Sequence, residues 1–108
     1  MARALATSDV FHAVAEPHRR HMLALLALDE RPVGEIVDAL GLEQPSVSKH
    51  LKVLRQAGLV RARRQGRQIY YRTRAEALRP LHEWTGQFER YWSHQLRRIK
   101  ERAEKENL

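Results

Sequence analysis

The chain has 108 residues, 43% of them hydrophobic and 31% charged, with a formal net charge of +7, a composition typical of one small globular domain. It contains no cysteine, which excludes disulfides, thiolate metal sites and thiol redox sensing. The longest apolar run, residues 22–28, is far shorter than the about 20 residues of a membrane-spanning helix, and no secretory signal is recognisable, so we expect a soluble, cytoplasmic protein without a membrane partner.

Apolar residues at helical spacing predict four helices in the first half of the chain. The predicted helices cover residues 8–15, 17–28, 32–40 and 44–57. Pro32 opens the third helix, and Gly41 stops it. Pro45 lies in the first turn of the fourth helix, where proline is best tolerated, and Gly58 ends that helix.

The second half of the chain predicts a hairpin followed by one long helix. Val60–Arg64 and Gln68–Arg72 are rich in β-branched and aromatic residues around a Gln65-Gly66 turn, which indicates two strands. The helical pattern then returns from residue 75 to about residue 105. Its apolar stripe has heptad-like spacing and consists of Leu78, Leu81, Thr85, Phe88, Trp92, Gln95 and Ile99. Such a stripe indicates burial against a second copy of the chain, with packing inside one chain as the alternative.

The positive charge is concentrated in one block. Residues 44–74 contain nine Lys and Arg and no Asp or Glu, whereas the remaining 77 residues carry 11 basic and 13 acidic residues. This block predicts a surface that faces a polyanion. The alternative is an arginine-rich solvated surface, although solvated faces usually mix both signs.

A short helix, a turn at Gly41, a second helix and a basic hairpin make the pattern of a helix-turn-helix (residues 33–57) followed by a wing (residues 59–73). The second helix begins with short polar side chains, which suit base edges, and continues with cations, which suit phosphates. The base-edge candidates are Gln44, Ser46, Ser48, Lys49 and His50, and the phosphate candidates are Lys52 and Arg55.

Each of these assignments has a structural alternative. The polar residues at the helix start are also typical helix caps, and His50, three residues after Val47, is equally compatible with a packed histidine. The cluster at the hairpin tip suits a minor groove or the adjacent phosphates, or else protects a sheet edge. The cluster consists of Arg63, Arg64, Arg67 and Gln68.

The chain resembles the ArsR/SmtB family of winged-helix repressors in three stretches, Gln44–Leu54 (QPSVSKHLKVL), Ala57–Val60 (AGLV) and Gly66–Arg72 (GRQIYYR). The similarity extends from about Phe11 to the start of the last helix. It implies a single domain over residues 1–108, mostly α-helical with a small β-hairpin. It also implies a homodimer built from the first and last helices, residues 8–15 and 75–105, with two recognition helices in successive major grooves. The expected interface residues are Phe11, Leu78, Leu81, Thr85, Phe88, Trp92 and Ile99.

Many members of this family sense metal, and the sequence departs from their sites. The segment Arg31–Val37, which corresponds to a thiolate site, has no cysteine. The last helix offers His82 and His94 without a matching carboxylate pattern, and these residues point about 120° apart on one helix. We therefore expect no metal and no cofactor, and no small-molecule or metal inducer is evident. Chelation between subunits remains open.

Together these features predict a sequence-specific DNA-binding transcriptional regulator. We expect a repressor or autorepressor that binds a pseudo-palindromic operator in double-stranded DNA as a homodimer. The alternative is a non-specific architectural DNA-binding protein, which would favour Lys and Arg at the start of the recognition helix. A protein-interaction module would not need nine uncompensated cations. No phosphate loop, nucleophile–base pair or metal motif is present, so we do not expect an enzyme.

Overall fold

The computed structural model describes residues 10–107. Residues 10–14 are helical (α1), and the predicted start of this helix at residue 8 lies outside the described residues. The other elements are α2 (Pro17–Leu28), β1 (Arg31–Pro32), α3 (Val33–Leu40), α4 (Gln44–Gln56), β2 (Val60–Gln65), β3 (Gln68–Thr73), a 3-10 helix (Ala75–Leu78), α5 (Arg79–Gly86) and α6 (Glu89–Glu106). None of these helices is both long and apolar enough to cross a bilayer.

Residues with special backbone preferences mark the helix ends. Glu16 caps α2, because its carboxylate accepts the backbone N–H of Arg19 at 3.1 Å. Gly41 ends α3 at φ +66° and donates its N–H to the carbonyl of Val37 at 2.9 Å. Gly58, at φ +76°, follows α4 in the same left-handed conformation. The ends predicted for α2 and α4 are therefore confirmed to within a residue.

The predicted hairpin is confirmed, but it belongs to a three-stranded antiparallel sheet with the order β1-β3-β2. Gln65 still pairs with Gln68, so the two-residue turn is Gly66-Arg67 and not Gln65-Gly66. The prediction that Pro32 opens α3 was wrong. Pro32 is extended, at φ −76° and ψ 164°, and pairs with Tyr70 as part of β1. Proline is tolerated there because β1 is an edge strand that needs few N–H donors.

One hydrophobic core joins α1 to α4 with the start of the wing. Its buried members are Val10, Ala13, Met22, Leu23, Leu26, Ile36, Val47, Leu51, Leu54, Leu59 and Val60. Neither α5 nor α6 contributes a buried residue. The helix-turn-helix therefore rests on a core that a single chain completes, and the C-terminal helices meet it only through the partly buried Ala77, Leu78 and Leu81 among the described residues.

The prediction of one continuous helix from residue 75 to 105 was also wrong. The segment divides into the 3-10 helix, α5 and α6, with a break at residues 87–88. Pro80 has no N–H to donate to a preceding turn, so it lies in the first turn of a new helix. Gly86, a weak helix former, is the last residue of α5. The break at residues 87–88 interrupts the helix within the predicted stripe.

Candidate DNA-binding interface

The orientation of α4 is fixed by its inner face. Val47, Leu51 and Leu54 are spaced by four and three residues, and all three are buried in the core. The tight turn after Gly41 places α4 directly after α3, which packs against it. Because the inner face is held by the core, the outer face of α4 projects in a defined direction.

The outer face of α4 carries most of the predicted contact residues. Its exposed side chains are Gln44, Pro45, Ser48, Lys49, Lys52, Arg55 and Gln56. Ser46 is half-buried in the first turn. No side chain caps the start of α4, so the polar residues there are not engaged as caps of this helix. The amide of Gln44 and the hydroxyl of Ser48 thus precede three cations along one exposed face.

His50 does not share this face. Its side chain is 17% exposed, its Nδ1 lies 3.4 Å from the guanidinium NH1 of Arg19, and its Nε2 lies 3.8 Å from a carboxylate oxygen of Glu16. Of the two roles considered for His50, this geometry matches the packed histidine. Burial is the largest of the effects that lower the pKa of His50, and the nearby Arg19 and His18 act in the same direction. Glu16 opposes them.

The wing separates its four predicted residues into two groups. Arg64, Arg67 and Gln68 are exposed around the Gly66 turn. Arg63 is held on the body of the protein, because its Nε donates to both carboxylate oxygens of Glu30 at 3.0 Å. These hydrogen bonds raise the pKa of the Arg63 guanidinium and lower the pKa of the Glu30 carboxyl. Within residues 10–107, the wing cations without an ion pair are therefore Arg64 and Arg67 at its tip and Arg72 on β3.

Ion pairing leaves a defined set of cations unneutralised. Of the nine Lys and Arg in residues 44–74, Arg61, Arg63 and Arg74 form ion pairs with glutamates. The other six make no ion pair within residues 10–107, and they are Lys49, Lys52, Arg55, Arg64, Arg67 and Arg72. The outer face of α4 and the wing therefore present uncompensated positive charge.

A groove between α4 and the sheet adds residues that the sequence did not single out. It has a volume of about 370 Å³ and is lined by Ser48, Leu51, Lys52, Arg55, Gln56 and Tyr71. The sequence pattern that could have identified Tyr71 is the alternation of side chains along β3, which places Tyr71 on the same face of the strand as Thr73. Thr73 faces the body of the protein, because its hydroxyl donates to the carbonyl of Leu23. Hydroxyl, amide and cationic groups of this kind bind phosphate oxygens.

Some of the residues predicted for the dimer interface make contacts within the chain, and the others are exposed. Leu78 and Leu81 pack against the chain's own core, and the Thr85 hydroxyl donates to the carbonyl of His82. Phe11, half-buried, meets the ring of Trp84 edge to face at 5.9 Å. The remaining large apolar side chains of α5 and α6 are exposed. Together with Phe11 they form the aromatic patch, which consists of Phe11, Trp84, Phe88, Tyr91, Trp92, Leu96 and Ile99.

Metal-binding geometry is not found in the described part of the chain. Within residues 10–107, no group of three or more His, Asp or Glu side chains is arranged to hold an ion. His82 lies on α5 and His94 on α6, and both are exposed.

Comparison with known proteins gives consistent matches. The profile "Bacterial regulatory protein, arsR family" matches residues 16–62. The HTH-type transcriptional repressor SmtB of Mycobacterium tuberculosis is 43% identical over 67 residues, which are 62% of this chain and 50% of that protein. The chain thus spans half the length of this relative. The transcriptional repressor SdpR of Bacillus subtilis is 34% identical over 77 residues, 71% of this chain and 86% of that protein.

The fold matches solved structures over most of its length. The solution NMR structure of a homodimeric winged helix-turn-helix DNA-binding domain from Mycobacterium bovis, a possible ArsR-family transcriptional regulator, matches with a TM-score of 0.69 and 34% identity. The match covers 86% of this chain and 88% of that one.

Proposed function

This chain belongs to the ArsR family of bacterial regulatory proteins and has a winged helix-turn-helix fold, and from that premise we propose that it is a transcriptional repressor that binds double-stranded DNA. The observation that carries the proposal is the set of six cations without ion pairs on α4 and the wing, next to an outer helix face that begins with amide and hydroxyl groups. Free cations attract phosphates, and polar groups at the start of a recognition helix read base edges.

The position of each residue on α4 and the wing determines which part of the DNA it contacts. Gln44, Ser48 and Lys49 lie in the first half of α4 and contact base edges in the major groove. Lys52 and Arg55 line the groove beside Tyr71 and contact phosphates, which supplies affinity and salt dependence. The wing tip contacts the adjacent minor groove or its phosphates through Arg64, Arg67 and Gln68. The half-buried Ser46 and the Glu30-bound Arg63 have smaller roles.

A second copy of the chain completes the DNA-binding unit. The aromatic patch exposes large apolar side chains, and exposed apolar patches mark interaction surfaces. A two-fold dimer through this patch places two α4 helices about one helical turn of DNA apart and requires a pseudo-palindromic operator. We propose that the dimer acts in the cytoplasm by occupying its operator and excluding polymerase.

The test is fluorescence-anisotropy titration of a duplex from upstream of the protein's own gene and a scrambled duplex, across a salt series. The proposal predicts a preference of at least about 10³-fold for the native duplex at physiological salt. Equal affinities that fall steeply with salt favour the non-specific architectural alternative. In that case a random-sequence selection is decisive, because a repressor enriches a palindromic site and an architectural protein enriches none.

The matched variants are Lys52→Ala, on the outer face of α4, and Lys100→Ala, an exposed lysine on α6. Only the first should weaken binding. Equal losses for the two variants would mean that overall charge, and not the α4 face, determines affinity.

A further inference from the structure

Arg19 connects the end of α1 to the recognition helix. Among residues 10–107 it is the only buried charged or polar side chain, at 9% exposure. Its Nε donates to the carbonyl of Ala13 at 2.6 Å, and its NH2 donates to the carbonyl of His12 at 3.0 Å. The last carbonyls of a helix have no donor in a following turn, and Arg19 donates to two of them at the end of α1, where the His12 carbonyl also accepts the backbone N–H of Ala15 at 3.2 Å.

The remaining guanidinium nitrogen of Arg19, NH1, contacts α4. Its NH1 lies 3.4 Å from Nδ1 of His50. A guanidinium only donates hydrogen bonds, so Nδ1 has to accept, and the ring proton of neutral His50 has to be on Nε2. Nε2 faces the carboxylate of Glu16 at 3.8 Å. Arg19, His50, Glu16 and the two α1 carbonyls form what we term the α1–α4 junction.

The contact of Nδ1 with Arg19 favours the neutral form of His50. Protonation places a hydrogen on Nδ1, directed at a guanidinium that has no acceptor to offer. The groups that face His50 are Arg19 and His18 from α2, with the His18 ring centroid 6.0 Å away, and Glu16 from the α1–α2 corner. The Arg19 guanidinium opposes a positive charge on the ring, whereas Glu16 favours it. Burial of the ring opposes protonation in the same direction, which agrees with the lowered pKa of His50.

The location of the junction gives it a role. His50 follows Lys49, a proposed base contact, and α1 carries Phe11, which meets Trp84 in the aromatic patch. Resting on the proposed function of α4, we propose that Arg19 and His50 are positioning residues that hold the recognition helix at its angle to α1, and that protonation of His50 releases this hold and weakens DNA binding. His50 thereby makes the repressor sensitive to protons.

The first test compares operator affinity at constant ionic strength from about pH 7.5 to about pH 5. Wild-type affinity should fall about threefold to tenfold over this range, because below the pKa of His50 in the DNA-free protein each further pH unit removes up to about tenfold of the neutral form that binds DNA, until the lower pKa of the DNA-bound state is reached. His50→Gln should have a flat profile, since glutamine offers an acceptor and a donor but does not titrate. His21→Gln, which changes an exposed histidine of α2, should follow the wild type.

The second test does not require DNA. Ring ¹⁵N chemical shifts of His50 in the wild-type protein should show the Nε2–H tautomer near neutral pH and protonation only below the ordinary value of 6.5. An Nδ1–H tautomer overturns the proposal, as does the same pH slope for wild type and His50→Gln. If His50→Gln does not fold, the ring measurement decides alone. If no duplex binds at any pH, the proposed function fails, while the tautomer still decides whether the junction exists.

Discussion

The apolar residues of the recognition helix α4 are buried, whereas most of those on the C-terminal helices α5 and α6 are exposed. On α4, Val47, Leu51 and Leu54 are buried by the rest of the same chain. On α5 and α6, no residue is buried, and these helices hold five of the eight exposed large hydrophobic side chains of the described residues, with a sixth, Phe88, in the break between them. Both regions have apolar residues at helical spacing. The spacing of apolar residues therefore predicts that one face of a helix will be buried. Only the tertiary structure shows whether that face is buried by the same chain or left for a partner.

The largest expected effect tests whether one chain completes the α4 core. Leu54→Ala removes a side chain with no exposure, so it should lower the free energy of unfolding by about 2–5 kcal/mol through lost burial and a residual cavity. Leu28→Ala is the matched control, because Leu28 is 82% exposed, and it should change that free energy by less than about 0.5 kcal/mol. Urea denaturation at one protein concentration measures both. Equal losses would remove the distinction between the two environments.

The next effect concerns the aromatic patch. Trp92→Ala should raise the dissociation constant of the dimer by at least about 30-fold, since central aromatic residues of interfaces contribute about 2 kcal/mol or more. Circular dichroism should show unchanged helix content, because Trp92 is 45% exposed within the single chain. Sedimentation equilibrium measures the constant. Lys105→Ala, at the far end of α6, serves as control, and an unchanged constant in Trp92→Ala would argue against this surface as the interface.

Sequence reasoning succeeded where local chemistry determines local structure. The ends of α2 and α4 follow from Pro17, Pro45 and Gly58, whose backbone preferences act within one turn. It missed β1, because two residues are too few to show a period. It also missed the break after α5, because the apolar residues keep helical spacings of three and four through residues 87–88, whereas the helix itself is interrupted there.

The site was predicted less completely than the fold, for a related reason. Helical spacing left both roles of His50 open, and the choice depends on Arg19, which lies 31 residues away in sequence. Arg63 belonged to the predicted tip until its partner Glu30, 33 residues away, was known. Such long-range partners arise from the tertiary fold and leave no local pattern.

A smaller effect distinguishes affinity from specificity within the recognition helix. Lys52→Ala should weaken binding to every duplex alike and reduce the slope of log affinity against log salt by about 0.9 for one lost phosphate contact. Ser48→Ala should leave that slope unchanged and reduce discrimination between operator and scrambled duplex by about 0.5–1.5 kcal/mol, the contribution of a single hydrogen bond. Anisotropy titration over a salt series measures both quantities. If the two variants exchange these effects, the assignment of phosphate and base contacts is reversed.

The smallest effect tests the wing. Glu30→Gln frees the guanidinium of Arg63 and should steepen the salt slope of DNA binding by at most about 0.9, since one more cation reaches a phosphate. Because Arg63 lowers the pKa of Glu30, the ion pair is complete at and above the ordinary value of 4.5 and is lost as pH falls through the folded-state value. Melting temperatures of wild type and variant should therefore differ at neutral pH and converge in acid. A constant difference across that range would contradict this account of the Glu30–Arg63 pair.

The most direct test of the whole account is the mass of the protein–DNA complex. In the proposed complex, α4 and the wing of each chain contact DNA, and the aromatic patch joins the two chains. Native mass spectrometry of the protein with its selected operator duplex should give two 12.7-kDa chains on one duplex. Trp92→Ala should shift the population toward one chain per duplex. A wild-type complex with a single chain bound at full operator affinity would contradict the account.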